Sequence, residues 1–220
     1  GIDLIGPKDW PTMKKYGLIP TRAPGGAGGI RDGLNRVENQ NEARFREILA
    51  QCAANGVPNM IALSGEKKGQ PDEQGIANHA QFLNKVKAEL EDKQVTLCIE
   101  YLNSKVNHPD YAFDNMRYGV EICKRVNSPR VKILYDIYHA QIMEGDVIRT
   151  IRDNLQYIGH FHTAGNPGRH EMDDTQEMNY KAIAKAIADL PYTGFISHEY
   201  SPTRDPLTSL EETLKLFEVS

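Results

Sequence analysis

Four short apolar runs in this sequence each end in a side chain able to bind a hard or borderline divalent cation. Val95–Glu100 ends in a carboxylate, Val131–Asp136 in another, Tyr157–His162 in an imidazole and Phe195–Glu199 in a third carboxylate. A charged group at the end of an apolar run is expensive to bury unless it is paired or bound to metal. Asp136 or Glu199 taken alone reads equally well as a helix cap or a surface carboxylate. Four such endings in succession are hard to assign to chance. Three carboxylates and one imidazole suit Mg²⁺ or Mn²⁺, with Co²⁺ or Zn²⁺ as alternatives, and do not suit a thiolate-rich structural zinc site. Glu100, Asp136, His162 and Glu199 are the expected ligand set.

A second group of polar residues follows the same runs. Asn103 comes three residues after Glu100, and His139 three after Asp136. The segment after His162 carries Arg169 and His170, and an arginine there could hold a substrate carboxylate or hydroxyl, bidentately if the substrate is an acid. Arg169 is therefore a candidate substrate contact, with Asn103 and His139 as further polar candidates around the same strand ends. Strand alternation is expected to turn His160 and His198 away from His162 and Glu199, as buried or interface histidines.

The elements that must position these residues alternate between strand-like and helix-like patterns. Strands are expected at Gly1–Ile5, Leu18–Thr21, Asn59–Leu63, Val95–Tyr101, Val131–Tyr138, Tyr157–Thr163 and Gly194–Tyr200. Helices are expected at Lys8–Lys15, Asn39–Ala54 (closed by Gly56), Gly75–Glu91, Asp114–Val126, Asp146–Leu155, Asn179–Leu190 and Leu207–Phe217. The helix at Asn39–Ala54 places Ala43, Ile48, Leu49 and Cys52 on one side. Ala23–Gly33 reads as a glycine-rich loop; its Gly25–Gly29 stretch lacks the spacing and the Lys-Ser/Thr ending of a phosphate loop, so a lid or plain loop is expected.

Seven β/α units imply a parallel sheet, because each crossover helix must cover a sheet face. A doubly wound open sheet and a (β/α)8 TIM barrel compete. The barrel is preferred, as a single α/β domain over residues 1–220, with the first β/α unit missing from the chain. In a barrel the carboxyl ends of all strands open on one face, where active sites sit. The four liganding residues would converge there.

Composition narrows the partners. With 220 residues and a formal charge of −4, nothing predicts a polyanionic partner, so no nucleic acid is expected. No apolar run approaches the roughly 20 residues of a membrane span. Cys52, Cys98 and Cys123 are an odd number without metal spacing, read as small core residues of a reducing compartment. A cytoplasmic location is the expectation, and a homo-oligomer is compatible with it.

At these residues the chain resembles the hydroxypyruvate isomerase family, within the wider xylose-isomerase-like TIM barrels. The stretches that carry the resemblance are Ile99–Ser104, Tyr135–Gln141, Ile158–His162 with Gly165–Glu171, and His198–Tyr200. Asn166-Pro-Gly-Arg-His-Glu, followed by Glu177-Met-Asn-Tyr, is the most specific. The likeness covers nearly the whole chain, with Gly1 onward as the second strand. It implies that Glu100 and Glu199 double as the acid–base pair, and that His139 and Arg169 contact substrate. The implied reaction is conversion of a small hydroxy-carbonyl compound, hydroxypyruvate to tartronate semialdehyde, by proton transfer through a metal-stabilised enediolate. Two positions depart from the family. His162 stands where close hydroxypyruvate isomerases tend to carry Gln and the related keto-sugar 3-epimerases carry His, whereas Val106 stands where those epimerases place a further carboxylate. A keto-sugar epimerase or isomerase is thus the nearest alternative. A multi-zinc endonuclease would need more histidines and a basic surface, and a non-catalytic sugar- or acid-binding barrel would not need the quartet.

Overall fold

The computed structural model describes residues 1–219. Its strands are β1 (Ala23–Ala27), β2 (Asn59–Ala62), β3 (Thr96–Glu100), β4 (Val131–Asp136), β5 (Ile158–Thr163) and β6 (Phe195–His198). Its α-helices are α1 (Trp10–Lys15), α2 (Glu42–Asn55), α3 (Asp72–Asp92), α4 (Met116–Val126), α5 (Ile137–Met143), α6 (Val147–Asn154), α7 (Tyr180–Ala188) and α8 (Pro206–Leu216).

All six strands pair in parallel and in chain order, β1 through β6. That order decides between the two closures. A doubly wound sheet reverses its strand order at a switch point, and no reversal occurs here. The strands instead form an arc of a TIM barrel. β2–β5 are largely buried, as strands covered on both faces must be. β6 is only half-buried along its length. A groove of about 510 Å³ runs beside it, lined by Ile2, Leu4, Thr21, Ile196, Leu210 and Leu214 among others. This groove lies between the Gly1–Leu4 stretch and the last strand, so the arc does not close on itself among the described residues.

The helix boundaries have local causes. Asn41, Asn115, Asn179 and Asp205 each accept a backbone N–H with the side chain, capping α2, α4, α7 and α8. Gly56 ends α2 at φ 70°, the left-handed conformation that glycine adopts without penalty. On α2 the buried residues are Phe45, Ile48, Leu49 and Cys52; Ala43 is exposed, and Phe45 occupies the inner face in its place.

Three expectations are corrected. Gly1–Ile5 and Leu18–Thr21 are not strands; they meet in a single parallel bridge, Ile2 to Pro20. Pro20 supplies no ladder N–H, and Leu4 sits at φ 54°, outside the extended region. The paired strand falls in Ala23–Ala27, inside the stretch read as a loop. Its composition, Ala-Pro-Gly-Gly-Ala, has little β-propensity, and pairing with β2 (Ala23 opposite Met60) makes it a strand. The fifth expected strand stops at Asp136, because Ile137–Met143 turns into α5 with Asp136 as its N-cap.

Candidate active site

The pairing register brings the four strand ends together. Asp136 and His162 are direct partners across β4 and β5. Glu199 follows β6 immediately, and its backbone N–H donates to the Thr163 carbonyl, 3.0 Å away, at the end of β5. Glu100 ends β3 opposite Leu134, two residues short of Asp136, a stagger of the kind that tilted barrel strands require. One ligand atom from each of Glu100, Asp136, His162 and Glu199 lies within 4.8 Å of all the others. All four expected residues meet at one point.

His162 Nδ1 sits at the centre, 2.9 Å from Glu199 Oε2, 3.4 Å from Glu100 Oε1 and 3.8 Å from Asp136 Oδ2. That nitrogen is buried and makes no hydrogen bond of acceptable geometry. An orphaned buried nitrogen facing three carboxylate oxygens fits a divalent cation, whose hard oxygen and borderline nitrogen ligands these are. Asp136 splits its work: Oδ1 accepts the His139 N–H at 3.2 Å and caps α5, which leaves Oδ2 turned to the cluster. The single-residue reading of Asp136 as a cap holds, and its second oxygen still faces the other three residues.

Arg169 closes the mouth of the cluster. Its Nη2 donates to Asp136 Oδ2 at 2.9 Å and also reaches Glu199 Oε2, Nη1 meets His139 Nε2, and Nε donates to the Glu199 carbonyl at 3.3 Å. The guanidinium lies 5.1 Å over the Tyr138 ring. The loop that delivers it folds back on itself through a bridge between Gly165 and His170. Any side chain at Gly165 would bring Cβ to 2.1 Å from the Glu171 carbonyl oxygen, so the fold-back requires glycine.

Behind Arg169, His139 Nδ1 accepts the backbone N–H of Asn103 at 3.1 Å. Nε2 faces the site, against Arg169 Nη1 and 3.6 Å from Asp136 Oδ2. Asn103 itself is fully buried, and its side-chain oxygen accepts the N–H groups of Val106 (3.0 Å) and Asn107 (2.8 Å). The structure thus places Asn103 behind His139 rather than in the open cleft. His170 turns away from the cluster, with Nδ1 2.8 Å from the Ser201 carbonyl.

Electrostatics follow this geometry. Burial pushes Asp136 up to about 6, against the pull of Arg169 and His162. Burial also works against ionisation of Glu199, but the facing His162 and the charge of Arg169 hold it at about 2. His162 is raised well above the usual histidine range: burial opposes its charge, and the facing carboxylates of Asp3, Glu100 and Glu199 outweigh it. Burial, with Arg169 alongside, keeps His139 neutral down to about 2.

Three residues near the site carried no expectation. Asp3 Oδ2 lies 2.8 Å from His162 Nε2, and Arg22, whose Nη2 is also 2.8 Å from that nitrogen, holds Asp3 by two hydrogen bonds. Asp3 could have been found by the criterion used for the quartet, a charge inside an apolar run. Arg22 follows a run that reads as a strand ending one residue earlier, so nothing marked it. His108 lies in the loop after β3 with its ring 5.4 Å from that of His139, and its position depends on the path of that loop. His160 requires a correction. It is two residues from His162 on one strand, so alternation puts the two on the same side, and their rings lie 5.5 Å apart beside Asp3. His198 does turn away from Glu199, toward Thr163 Oγ1 at 2.8 Å and the Phe217 ring at 4.6 Å.

Residues 12–218 match the family described as Xylose isomerase-like TIM barrel. A putative hydroxypyruvate isomerase of Danio rerio is 38% identical over 113 residues, 51% of this chain and 41% of the relative. A 2-oxo-tetronate isomerase of Cupriavidus necator is 39% identical over 108 residues, 49% of this chain and 41% of the relative. The matched stretches span less than half the length of these two curated relatives. Among solved structures, an AP endonuclease, family 2, from Brucella melitensis superposes with a TM-score of 0.82 at 24% identity, covering 95% of this chain and 83% of that one, a likeness of fold. With six parallel strands in chain order, a carboxylate-imidazole cluster at their carboxyl ends and a family match over nearly its full length, this chain belongs to the xylose isomerase-like TIM barrel family.

Proposed function

We propose that this protein is a divalent-metal-dependent isomerase of small 2-oxo acids bearing a neighbouring hydroxyl, with hydroxypyruvate as the first substrate to test. The observation that carries the reading is His162 Nδ1, buried without a hydrogen bond and facing Glu100, Asp136 and Glu199. Relatives named as hydroxypyruvate and 2-oxo-tetronate isomerases support it. A cation held by Glu100, Asp136, His162 and Glu199 would draw the substrate's carbonyl and hydroxyl oxygens together and offset the charge that develops as the proton leaves.

The chain's own groups supply the rest. Glu199 is half-buried at the mouth and ionised at neutral pH, so it removes the proton from the hydroxymethyl carbon. Glu100, buried at the end of β3, returns a proton to the former carbonyl carbon, and exchange with solvent, which takes the proton from Glu199 and re-protonates Glu100, restores both glutamates. The hydroxyl proton passes between the two oxygens, so the substrate gains and loses no electrons and no co-reactant is needed. Arg169 binds the substrate carboxylate in its guanidinium fork, and His139 meets a substrate oxygen through Nε2. The Asn103 N–H at Nδ1 holds the His139 ring in place. The same quartet would serve a keto-sugar epimerase, which His162 favours; the arginine at the mouth favours an acid.

The test is a screen of hydroxypyruvate, four-carbon 2-oxo acids and short keto-sugars with Mg²⁺, Mn²⁺ and Co²⁺ in deuterated water. Conversion of an oxo acid with deuterium incorporated at carbon is expected. Exchange confined to keto-sugars would shift the assignment to the epimerase. Absence of both exchange and conversion with all three ions would reject an isomerase.

A further inference from the structure

Behind His162, on the side away from the three carboxylates, lies a compact ionic unit. His162 Nε2 is 2.8 Å from Asp3 Oδ2. Arg22, fully buried, donates from Nε to Asp3 Oδ1 at 3.2 Å and from Nη2 to Asp3 Oδ2 at 3.1 Å. This two-point contact locks the carboxylate plane. The Thr21 hydroxyl adds a third hydrogen bond to Asp3 Oδ1, at 3.2 Å. Asp3 lies in the stretch before α1, and Arg22 directly precedes β1. The unit therefore ties the first residues of the chain to the strand that carries His162.

We propose that Asp3, locked by Arg22, is the positioning residue that sets the tautomer of His162 and aims its Nδ1 lone pair at a bound cation. This inference rests on the metal-site reading of the quartet. An imidazole binds a cation through one nitrogen only if the proton sits on the other, and an anionic acceptor at that other nitrogen fixes both tautomer and ring plane. Asp3 Oδ2 and Arg22 Nη2 both lie 2.8 Å from Nε2, and with a cation on Nδ1 only the carboxylate can accept the Nε2 proton. Arg22 has two functions: it prevents Asp3 from rotating, and it balances the charge of a carboxylate with little access to water.

The same atoms admit a rival reading. Asp3, His160 and His162 also bring donor atoms within 4.8 Å of one another, close enough to hold a second cation. Arg22 argues against it, because its Nη2 lies 3.1 Å from Asp3 Oδ2 and 2.8 Å from His162 Nε2, where a second cation would have to sit. Its positive charge already fills that role. The unit is a support for one metal site, and the chain binds a single ion.

Calorimetric titration of the whole chain with Mn²⁺ tests this, with wild type, Asp3→Asn and Arg22→Met compared and circular dichroism checking that each is folded. One ion per wild-type chain is expected, with affinity about 10- to 100-fold weaker in both variants. Nitrogen NMR of histidine-labelled wild type with Mg²⁺ reads the tautomer directly, and a protonated Nε2 on His162 is expected. That spectrum checks which nitrogen holds the ion, and the affinity of the folded variants checks the part played by Asp3. Proton on Nδ1 in the Mg²⁺-loaded wild type overturns the inference. So does undiminished Mn²⁺ affinity in folded Asp3→Asn, or a second ion in wild type that is lost in that variant. No ion bound by the wild type overturns the quartet reading as well, which separates the two failures.

Discussion

Arg169 contacts Asp136, Glu199 and His139 at once, from a backbone at φ 58° that most residues avoid. A side chain held in that way is matched to planar, two-point recognition, and lysine cannot reproduce the fork. Arg169→Lys is expected to raise KM for an oxo acid on the order of tenfold or more, the worth of one charged hydrogen bond. It should leave KM for an uncharged keto-sugar much less affected; equal losses on both substrates would remove Arg169 from carboxylate binding. Glu199→Gln belongs to the same scale. Its proton transfer is expected to fall by roughly 10²- to 10⁴-fold, while most Mn²⁺ affinity measured by calorimetry survives on the other three ligands. Full turnover in that variant would reject the assigned role.

At the scale of elements, the segment after β5 divides into a part that works and a part that holds. Arg169 reaches the site, whereas Glu171, two residues on, is buried and accepts the Thr203 N–H at 2.8 Å, the Thr203 hydroxyl at 2.9 Å and the Ser209 hydroxyl at 3.1 Å. It ties this loop to the one after β6 and to the first turn of α8. Burial alone would raise the Glu171 carboxyl, but the hydrogen bonds from Thr203 and Ser209 hold it at about 2, below the ordinary 4.5. Because the folded value is depressed, the stabilisation is complete above pH 4.5 and is lost as pH falls from there toward 2. Glu171→Gln is expected to destabilise the fold by roughly 1–3 kcal/mol at pH 7. In urea melts the gap between wild type and variant should shrink below pH 4; a gap independent of pH would contradict the account.

For the whole molecule, the buried His79 near the start of α3 sets an acid limit. Its Nδ1–H donates to the Gly75 carbonyl at 2.7 Å, and its other nitrogen is buried without a partner beside the Tyr118 ring. Burial lowers it from 6.5 to about 4, more than the Gly75 hydrogen bond restores. The unfolded chain takes up this proton below pH 6.5 and the folded chain does not until near 4. Stability is therefore whole above 6.5 and declines between 6.5 and 4 by up to about 1.4 kcal/mol per pH unit. His79→Gln should flatten that slope by nearly one proton in urea melts at pH 4.5–6; an unchanged slope would exclude His79 as its source. At the same scale, the open seam beside β6 leaves Leu210 and Leu214 of α8 and Ile2 and Leu4 exposed along one groove. The strand next to it is less buried than its neighbours for the same reason.

Much of the fold was legible from periodicity: five strands, the main helices and the Gly56 stop lie where apolar spacing and capping put them, because those signals are local. The quartet was legible too, because Glu100, Asp136, His162 and Glu199 each end an apolar run where burial would otherwise penalise a charge. The tertiary structure alone decided three things. It made Ala23–Ala27 a strand against its own propensity, since pairing with β2 outweighs Pro and Gly. It fixed the chain-order pairing that bears out the barrel preferred from sequence, because strand order is a property of the assembled sheet. It also brought Asp3 to His162 across 159 positions of chain. No local pattern encodes a contact of that range, which exists only once the ends of the barrel face one another.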